Sequence, residues 1–426
     1  MKDETFLKNL FQAYYQESQK DIPAVSMLDQ REFGFLLWDN KFMQRHLGFA
    51  EIDDLRHYLI KKSPMHAYSS GSLYSRPDYD DMENKGYQGC DFLIDIDVDH
   101  FYTECKTDHD LWYCKECGTN GKGMVEKCPK CEKLKITRVA WICDKCLDIA
   151  KNEIIKLIDN FLIPDFALNV EQIKIAFSGH RGYHLKIEDP RIRTLTTDQR
   201  REIVDYLTGE NISFEILGLH EKSLGIFGLL KDNQGWSNKI MTKLEEILQM
   251  DLIDIEHFLL DPHWGNLTSA RISSLLKYRE DFLVTLNSKQ RNIWSIEGFG
   301  LPTWKKLLTA VVKKVGAEID EPVSIDIHRL IRYPGTLHGK TGFKVQELEY
   351  NQLEEFNPLD ENNELIDPIV FKSKKDITQK LEITAIKVPA TKIKGETYGE
   401  YDWGDKIEVP HHVAVFLLCK GVAKMF

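Results

Sequence analysis

At 426 residues the chain is long enough for two or three domains of about 150 residues each, and 42% hydrophobic with 29% charged residues fits a globular protein. The net charge of −11 argues against a surface coated in nucleic acid, whose binding domains carry a basic face. The longest apolar run, Val413 to Cys419, is far short of the ~20 residues a membrane helix needs. MKDETFLKNLFQAYY also lacks the apolar core of a secretory leader, so the sequence points to a cytoplasmic protein without a membrane partner.

The first ninety residues read as helix, hairpin, helix and strand. Phe6, Leu7, Leu10, Phe11, Tyr14 and Tyr15 recur at helical spacing, and REFGFLLWDNKFMQRHLGF reads as two apolar strands around an Asp39-Asn40 turn. The next segment, DFLIDIDVDHF from Asp91 to Phe101, sets aspartate at 91, 95, 97 and 99 into an apolar run. Successive side chains of a strand point to opposite faces, so Phe92, Ile94, Ile96 and Val98 share one side and four carboxylates share the other with Leu93. Like charges gathered on one face repel unless water or a cation screens them. A solvated edge strand meets that condition. So does a divalent cation held by Asp95 and Asp97, because hard cations take oxygen donors.

Nine cysteines in a chain read as cytoplasmic point to metal before disulfides. Six form three CxxC pairs: Cys114/Cys117, Cys128/Cys131 and Cys143/Cys146. Two CxxC turns complete a tetrahedral zinc site, and CKECGTNGKGMVEKCPKC has that spacing with Gly and Pro within and between its pairs. Cys143 and Cys146 then need partners. Cys105 and His109 are nearest, with His100 and Cys90 as competitors. Sites of this size support a small surface that a core cannot, so the expected role is structural.

A helix from Cys146 to Ile163 follows, with Leu147, Ala150, Ile154, Ile158 and Phe161 on one stripe and Pro164 ending it. IKIAF at 173–177 reads as a strand, SGHRG as a tight turn and YHLKI as the returning strand. Residues 190–305 carry helical patterns, opened by a Thr196–Gln199 capping box, and read as an insertion in an α+β core. Strand-like sequence returns at FKVQELEY after LPTWKKLLTAVVKKV. A helix over Val413 to Leu418 has Pro410 near its first turn.

YPGTLHGKTG, Tyr333 to Gly342, fails as a P-loop: three residues separate Gly335 from Gly339 where the motif has four, and no helix pattern follows Lys340. Yet Ser178 to Ile187 and Ile327 to Gln346 each carry basic residues and no acid. Basic islands in an acidic chain point to a local anion such as a triphosphate. Ser178, Arg181 and His184 on one, and His338, Lys340 and Arg332 on the other, supply the donors. In-line displacement at phosphorus uses two metals, which want a third carboxylate. Asp320 in EIDEPVSIDIHRL is the first choice and Asp326 its rival.

In that order DFLIDIDVD, a cysteine knuckle with its helix, SGHRGYH and IDEPVSIDIHRLIRYPGTLHGKTG closely resemble the catalytic small subunit of archaeal–eukaryotic DNA primase. REFGF, YSSGSLYSRP and VAVFLLCKGVAK extend the resemblance over most of the chain. It implies a primase-polymerase core with an RRM-like sheet, in two parts, 1–189 and 306–426, with a zinc-binding insertion at 101–147 and the helical insertion between. It implies de novo primer synthesis on single-stranded DNA from NTPs or dNTPs, with Mg²⁺ or Mn²⁺ on Asp95, Asp97 and Asp320. Ser178, Arg181, His184, His338 and Lys340 fall on nucleotide contacts. Cys143 and Cys146 with Cys105 and a nearby histidine, His109, fall on the family's knuckle. The departure is 114–131, an extra ribbon that makes two zincs the expectation. Relatives work with a large subunit carrying an iron–sulfur cluster. A stand-alone primase-polymerase of repair or mobile elements shares the same core, and a non-catalytic zinc-ribbon nucleic-acid-binding protein is the reading outside enzymes.

Overall fold

The carboxylate-bearing run forms one edge of a four-stranded sheet. The computed structural model describes residues 2–426 apart from 41, 101, 102, 230, 232, 233, 289–291, 362, 373–376 and 386. Phe101, the last residue of the acidic segment, therefore lies outside the described residues. Nine strands build the part that matters here: β1 (Arg31–Leu36), β2 (Gln44–Leu47), β3 (His66–Tyr74), β4 (Tyr87–Cys90), β5 (Phe92–Asp97), β6 (Ile173–Phe177), β7 (Gly182–Ile187), β8 (Leu330–Arg332) and β9 (Gln346–Leu348). One sheet has the order β8-β3-β1-β2, with β4 also on β3; the other has the order β9-β6-β7-β5. Every pairing is antiparallel.

Helix Lys2–Glu17 packs Phe11, Tyr14 and Tyr15 against Phe33 and Phe35 of β1. Leu55 and Leu59 of helix Ile52–Lys62, with Tyr333 and Leu337 beyond β8, close the same core. Residues of both sheets, Ser69 and Arg332 from one and Ile175 and Leu185 from the other, line a cavity of about 40 Å³.

Three local differences from the sequence reading appear, the first and third with clear causes. The helix expected from Cys146 begins at Asp144, because the Cys143 sulfur caps it by accepting the Cys146 N–H at 3.4 Å. Its last part, Ile158–Leu162, is a π turn. The strand expected over FKVQELEY narrows to β9, since Lys344 and Val345 donate to the carbonyls of Pro368 and Thr336, both at 2.8 Å, outside the sheet.

The chain divides into two units, residues 1–201 with 319–426, and Glu202–Glu318. All nine strands lie in the first. The second begins and ends later than the 190–305 expected. It holds helices Trp236–Gln249, Leu252–Leu260, Ser269–Lys277, Arg279–Leu286 and Leu301–Val315 around buried Phe282, Trp294 and Trp304. Its two ends lie side by side, with the Ala317 N–H on the Leu207 carbonyl at 2.9 Å. The Thr196–Gln199 capping box is present in both directions, at 3.0 and 3.3 Å. Among the described residues no helix is long and apolar enough to cross a membrane.

Candidate active site

Alternation along β5 holds for its apolar side, where Phe92, Ile94, Ile96 and Val98 are buried. The opposite side is no uniform acidic edge. Asp91 is fully buried and doubly paired, to Arg31 Nη2 and to Arg193 Nε, both at 2.6 Å. Leu93 is covered as well. The strand ends at Asp97, and a 3₁₀ turn over Val98–His100 takes Asp99 out of the alternation. Asp95 and Asp97 remain as a half-buried pair at the end of the strand.

Asp320 joins them from far along the chain. Its N–H donates to the Asp95 carbonyl at 2.9 Å, and it heads the short helix Glu321–Ile325, whose Pro322 suits a first turn. Its Oδ2 lies 3.8 Å from His100 Nε2. Asp326 is not brought to this edge by any such bond; it accepts the His328 N–H of its own turn at 2.9 Å.

Pairing of β7 with β5 sets His184 opposite Asp95 and Gly182 opposite Asp97. His184 Nε2 stands 3.3 Å from Asp95 Oδ1. Gly182 is required for that approach, since a Cβ there would sit 2.3 Å from the Ile96 carbonyl. Ligand atoms of Asp97, Asp99 and His180 lie within 4.8 Å of one another. Burial, then the charges of Asp99 and Asp95, push the Asp97 carboxyl up to about 6. Burial would raise Asp95 too, but His184, together with His100 and Arg332, outweighs it and holds that carboxyl below its ordinary value. Carboxylates crowded in this way gain from a cation between them.

The turn between β6 and β7 carries the SGHRG stretch. Arg181, which the resemblance sets among the nucleotide contacts, has all five N–H groups engaged inside the protein. Nε donates to Asp99 Oδ1 at 2.7 Å and Nη1 to Asp110 Oδ1 and the Trp141 carbonyl, at 2.8 and 2.9 Å. Nη2 donates to Asp110 Oδ2 at 2.8 Å and again to Asp99. Arg181 is a clamp between the end of the acidic segment and the cysteine-rich one.

Beside it, His180 stacks on His338 with ring centroids 5.2 Å apart, and His338 meets the edge of His66 at 4.8 Å. Burial first, and neighbouring cations second, push all three well below the ordinary histidine range, so they are neutral. His66 Nδ1 accepts from Arg332 Nη1 at 2.7 Å and from the Gly339 N–H at 3.2 Å. Ser178 is buried and its Oγ accepts the His180 N–H at 3.3 Å. Gly179, at φ +83°, stands where a Cβ would be 2.7 Å from His338 Cβ. Lys340 is exposed, its N–H on His338 Nδ1 at 3.2 Å. Ser178, His180, His338 and Lys340 thus come together.

Two cysteine centres accompany the site. Cys105, His109, Cys143 and Cys146 form one, and Cys114, Cys117, Cys128 and Cys131 the other. Sulfur–sulfur distances of 3.3 Å for Cys105–Cys146, 3.5 Å for Cys114–Cys131 and 3.6 Å for Cys117–Cys128 are far beyond a disulfide. They approach the edge of a tetrahedron with metal–sulfur bonds of about 2.3 Å. His109 turns Nε2 toward the Cys146 sulfur at 3.3 Å and Nδ1 toward Asp110 Oδ1 at 2.9 Å, the carboxylate–histidine arrangement that orients a metal ligand. The competitors stay away: the Cys90 sulfur donates to the Asp91 carbonyl, and His100 faces Asp320.

Some neighbours were not legible as site residues. Lys420 Nζ lies 2.7 Å from His180 Nε2 and donates to the Ala140 carbonyl at 2.7 Å. Its one sequence signal is a lone lysine closing an apolar helix. Asp110, with Arg181 and His109, forms a continuous chain of contacts from one cysteine centre to Asp99, whose N–H in turn donates to Asp97 Oδ1 at 2.9 Å.

An acidic sheet edge beside a turn rich in cations and neutral imidazoles is the form of a site for a phosphorylated ligand and a divalent cation. The model of the family described as DNA primase small subunit matches residues 137–350. The chain is 28% identical to the DNA primase small subunit PriS of Methanothrix thermoacetophila and 30% identical to that of Methanococcoides burtonii, each over 100% of this chain and 99% of the relative. It is 29% identical to the Archaeoglobus fulgidus protein of the same name, over 99% of both chains. The chain belongs to the DNA primase small subunit family.

Proposed function

We propose that this chain is the catalytic subunit of a DNA primase, making primers de novo on single-stranded DNA from nucleoside triphosphates. One observation carries the reading: Asp320, 225 residues beyond Asp95, is bonded backbone to backbone beside it, next to a basic turn. The reaction is attack of a 3′-hydroxyl on the α-phosphorus of the incoming triphosphate, with pyrophosphate leaving. Asp95, Asp97 and Asp320 are the residues to hold Mg²⁺ or Mn²⁺, which would neutralise phosphate charge and favour the ionised attacking oxygen. Lys340 and Arg332 are the cations for the triphosphate. Ser178, His184 and His338 shape the wall beside it as hydrogen-bonding groups, and Arg181 acts through Asp99. The core reads as an RRM-like sheet with two insertions, and an iron–sulfur large subunit is the expected partner.

Incubating the protein with unprimed single-stranded DNA, labelled NTPs or dNTPs and Mg²⁺ or Mn²⁺, and sizing products on a gel, tests the reading. Short labelled products are expected, and none should form without the divalent ion. Failure under every nucleotide and metal combination would overturn it.

Charge-assisted bonds to phosphate are worth roughly 1.5–3 kcal/mol each. At about 1.4 kcal/mol per decade, Lys340→Ala is expected to raise the nucleotide KM about ten- to a hundredfold, or to lower kcat if the contact forms only in the transition state. Template affinity should change little. Steady-state kinetics against both substrates reads this, and a loss confined to template binding would remove Lys340 from the triphosphate site.

The cysteine centres fit zinc, with a structural role. Elemental analysis should find two zincs per chain. Cys128→Ser with Cys131→Ser should lose one and keep the sheets folded, whereas Cys143→Ser with Cys146→Ser should melt more of the chain, because Cys143 caps the helix Asp144–Leu157. A wild type holding one zinc would refute the two-centre division.

A further inference from the structure

The reaction proposed above makes no use of the ribbon between Asp110 and Trp141. In residues 111–139 seven Lys and Arg stand against three Glu, a net of +4 in a chain whose total is −11. A basic island of that contrast points to a polyanion.

The ribbon is a three-stranded antiparallel sheet with Leu111–Cys114 at its centre, flanked by Asn120–Lys122 and Ile136–Val139. Cross-strand partners share a face. Trp112, Cys114 and Ile136 therefore point one way, where they pack with Val125, Cys128 and Cys131 as the ribbon's own core. Leu111, Tyr113, Asn120, Lys122 and Val139 point the other way. That second face is half-buried or exposed at each of these positions. It forms one wall of a groove of about 480 Å³, whose far wall is Thr384, Lys387 and Val422.

The chemistry of the groove is mixed in a particular manner. The Tyr113 ring is 42% exposed, Leu111 and Val139 supply apolar area, and Lys122 and Lys387 supply charge at the rim. Lys387 also pairs with Glu400 at 2.5 Å. A sheet face offering an aromatic platform, apolar flanks and lysines is the composition that holds single strands, with bases stacked on the ring and phosphates on the cations.

We propose that this open ribbon face is a second binding track, for single-stranded nucleic acid, apart from the acidic site. It rests on the primase reading only in identifying that strand as the template. The test is fluorescence anisotropy of a labelled oligo-dT against the full-length protein over a salt series. Tyr113→Ala should weaken binding about ten- to a hundredfold, and Tyr113→Phe, which keeps the ring, should restore it. Lys122→Gln with Lys387→Gln should make the slope of log affinity against log salt shallower by about 1.4, at about 0.7 per phosphate contact. Unchanged metal content and circular dichroism would show the ribbon intact. In primer synthesis the template KM should rise while turnover at saturating template holds. Variants that bind oligo-dT as the wild type does would overturn the track, including the case in which a protein segment occupies the groove, while leaving primer synthesis intact. Equal preference for duplex DNA would overturn it too. A wild type that makes no primers would instead sink the primase reading, with the anisotropy result still deciding the track.

Discussion

Asp97→Asn is expected to abolish nucleotide transfer, lowering kcat by roughly a thousandfold or more, about 4 kcal/mol of transition-state stabilisation. The same substitution should leave the fold as stable as before or more so. A carboxyl whose folded-state value is raised to about 6 costs folding free energy when it ionises, a cost present at neutral pH and absent well below pH 4. The neutral amide removes that cost and relieves the repulsion from Asp95 and Asp99. Thermal melts without added Mg²⁺ or Mn²⁺ at pH 7 should show no fall in Tm. Asp95→Asn should share the activity loss but not the relief, because His184 favours its ionised form. Retained activity in either variant would remove the acidic edge from the chemistry.

The second large effect is expected at a residue that touches no substrate. Asp110→Ala takes from the guanidinium of Arg181, which is 1% exposed, two of its five acceptor bonds and leaves it the half-exposed Asp99 carboxylate. Removing the partner of a buried charge costs about 3–5 kcal/mol when that charge is left uncompensated, and the remaining Asp99 contact puts the expected loss at the lower end, about 3 kcal/mol. His109 loses its orienting carboxylate as well, which typically weakens a metal centre 10–100-fold. Denaturant unfolding and zinc retention in a chelator titration read the two consequences separately. Asp108, two residues away and exposed, is the control; Asp108→Ala should fall within about 0.5 kcal/mol of wild type. If both variants behave alike, the clamp has no structural weight.

Much of the local structure was legible. The period of two in FLIDID, the cysteine spacings and the glycine-bounded SGHRG turn are each written within a dozen or so residues, where chain geometry is the only partner needed. The same periodicity misled at its ends. Four aspartates at alternate positions read as one acidic face, yet Asp91 is neutralised by Arg31 and Arg193, 60 and 102 positions away. Asp99 leaves the strand through a 3₁₀ turn. Spacing cannot report such pairings, because a buried charge is matched by whichever cation the tertiary fold delivers. Arg181 shows the same limit. As residue type and motif position it suits a phosphate, but its five donors are already taken by carboxylates and a carbonyl. The Lys420 contact with His180 spans 240 positions, and a lone lysine closing an apolar helix does not say which residue it will meet.

The first unit is interrupted in sequence by the whole of the second, and this bears on the order in which a nascent chain can fold. Residues 1–201 emerge from the ribosome with β5, β6 and β7 available to pair, but β8, β9 and Asp320 follow only after Glu202–Glu318 has been made. At about 5–20 residues per second, those 117 residues hold the first unit open for roughly 6–23 s. The second unit, mostly helices with local contacts, has time to fold within that interval. Until it does, the outer edges of β3 and β6 lack β8 and β9 as partners, and unpaired edges invite association with other chains. A chain truncated near residue 320 should therefore aggregate where the full chain does not. The carboxylates that need a cation would also assemble last, after the ribbon and its cysteines are already in place.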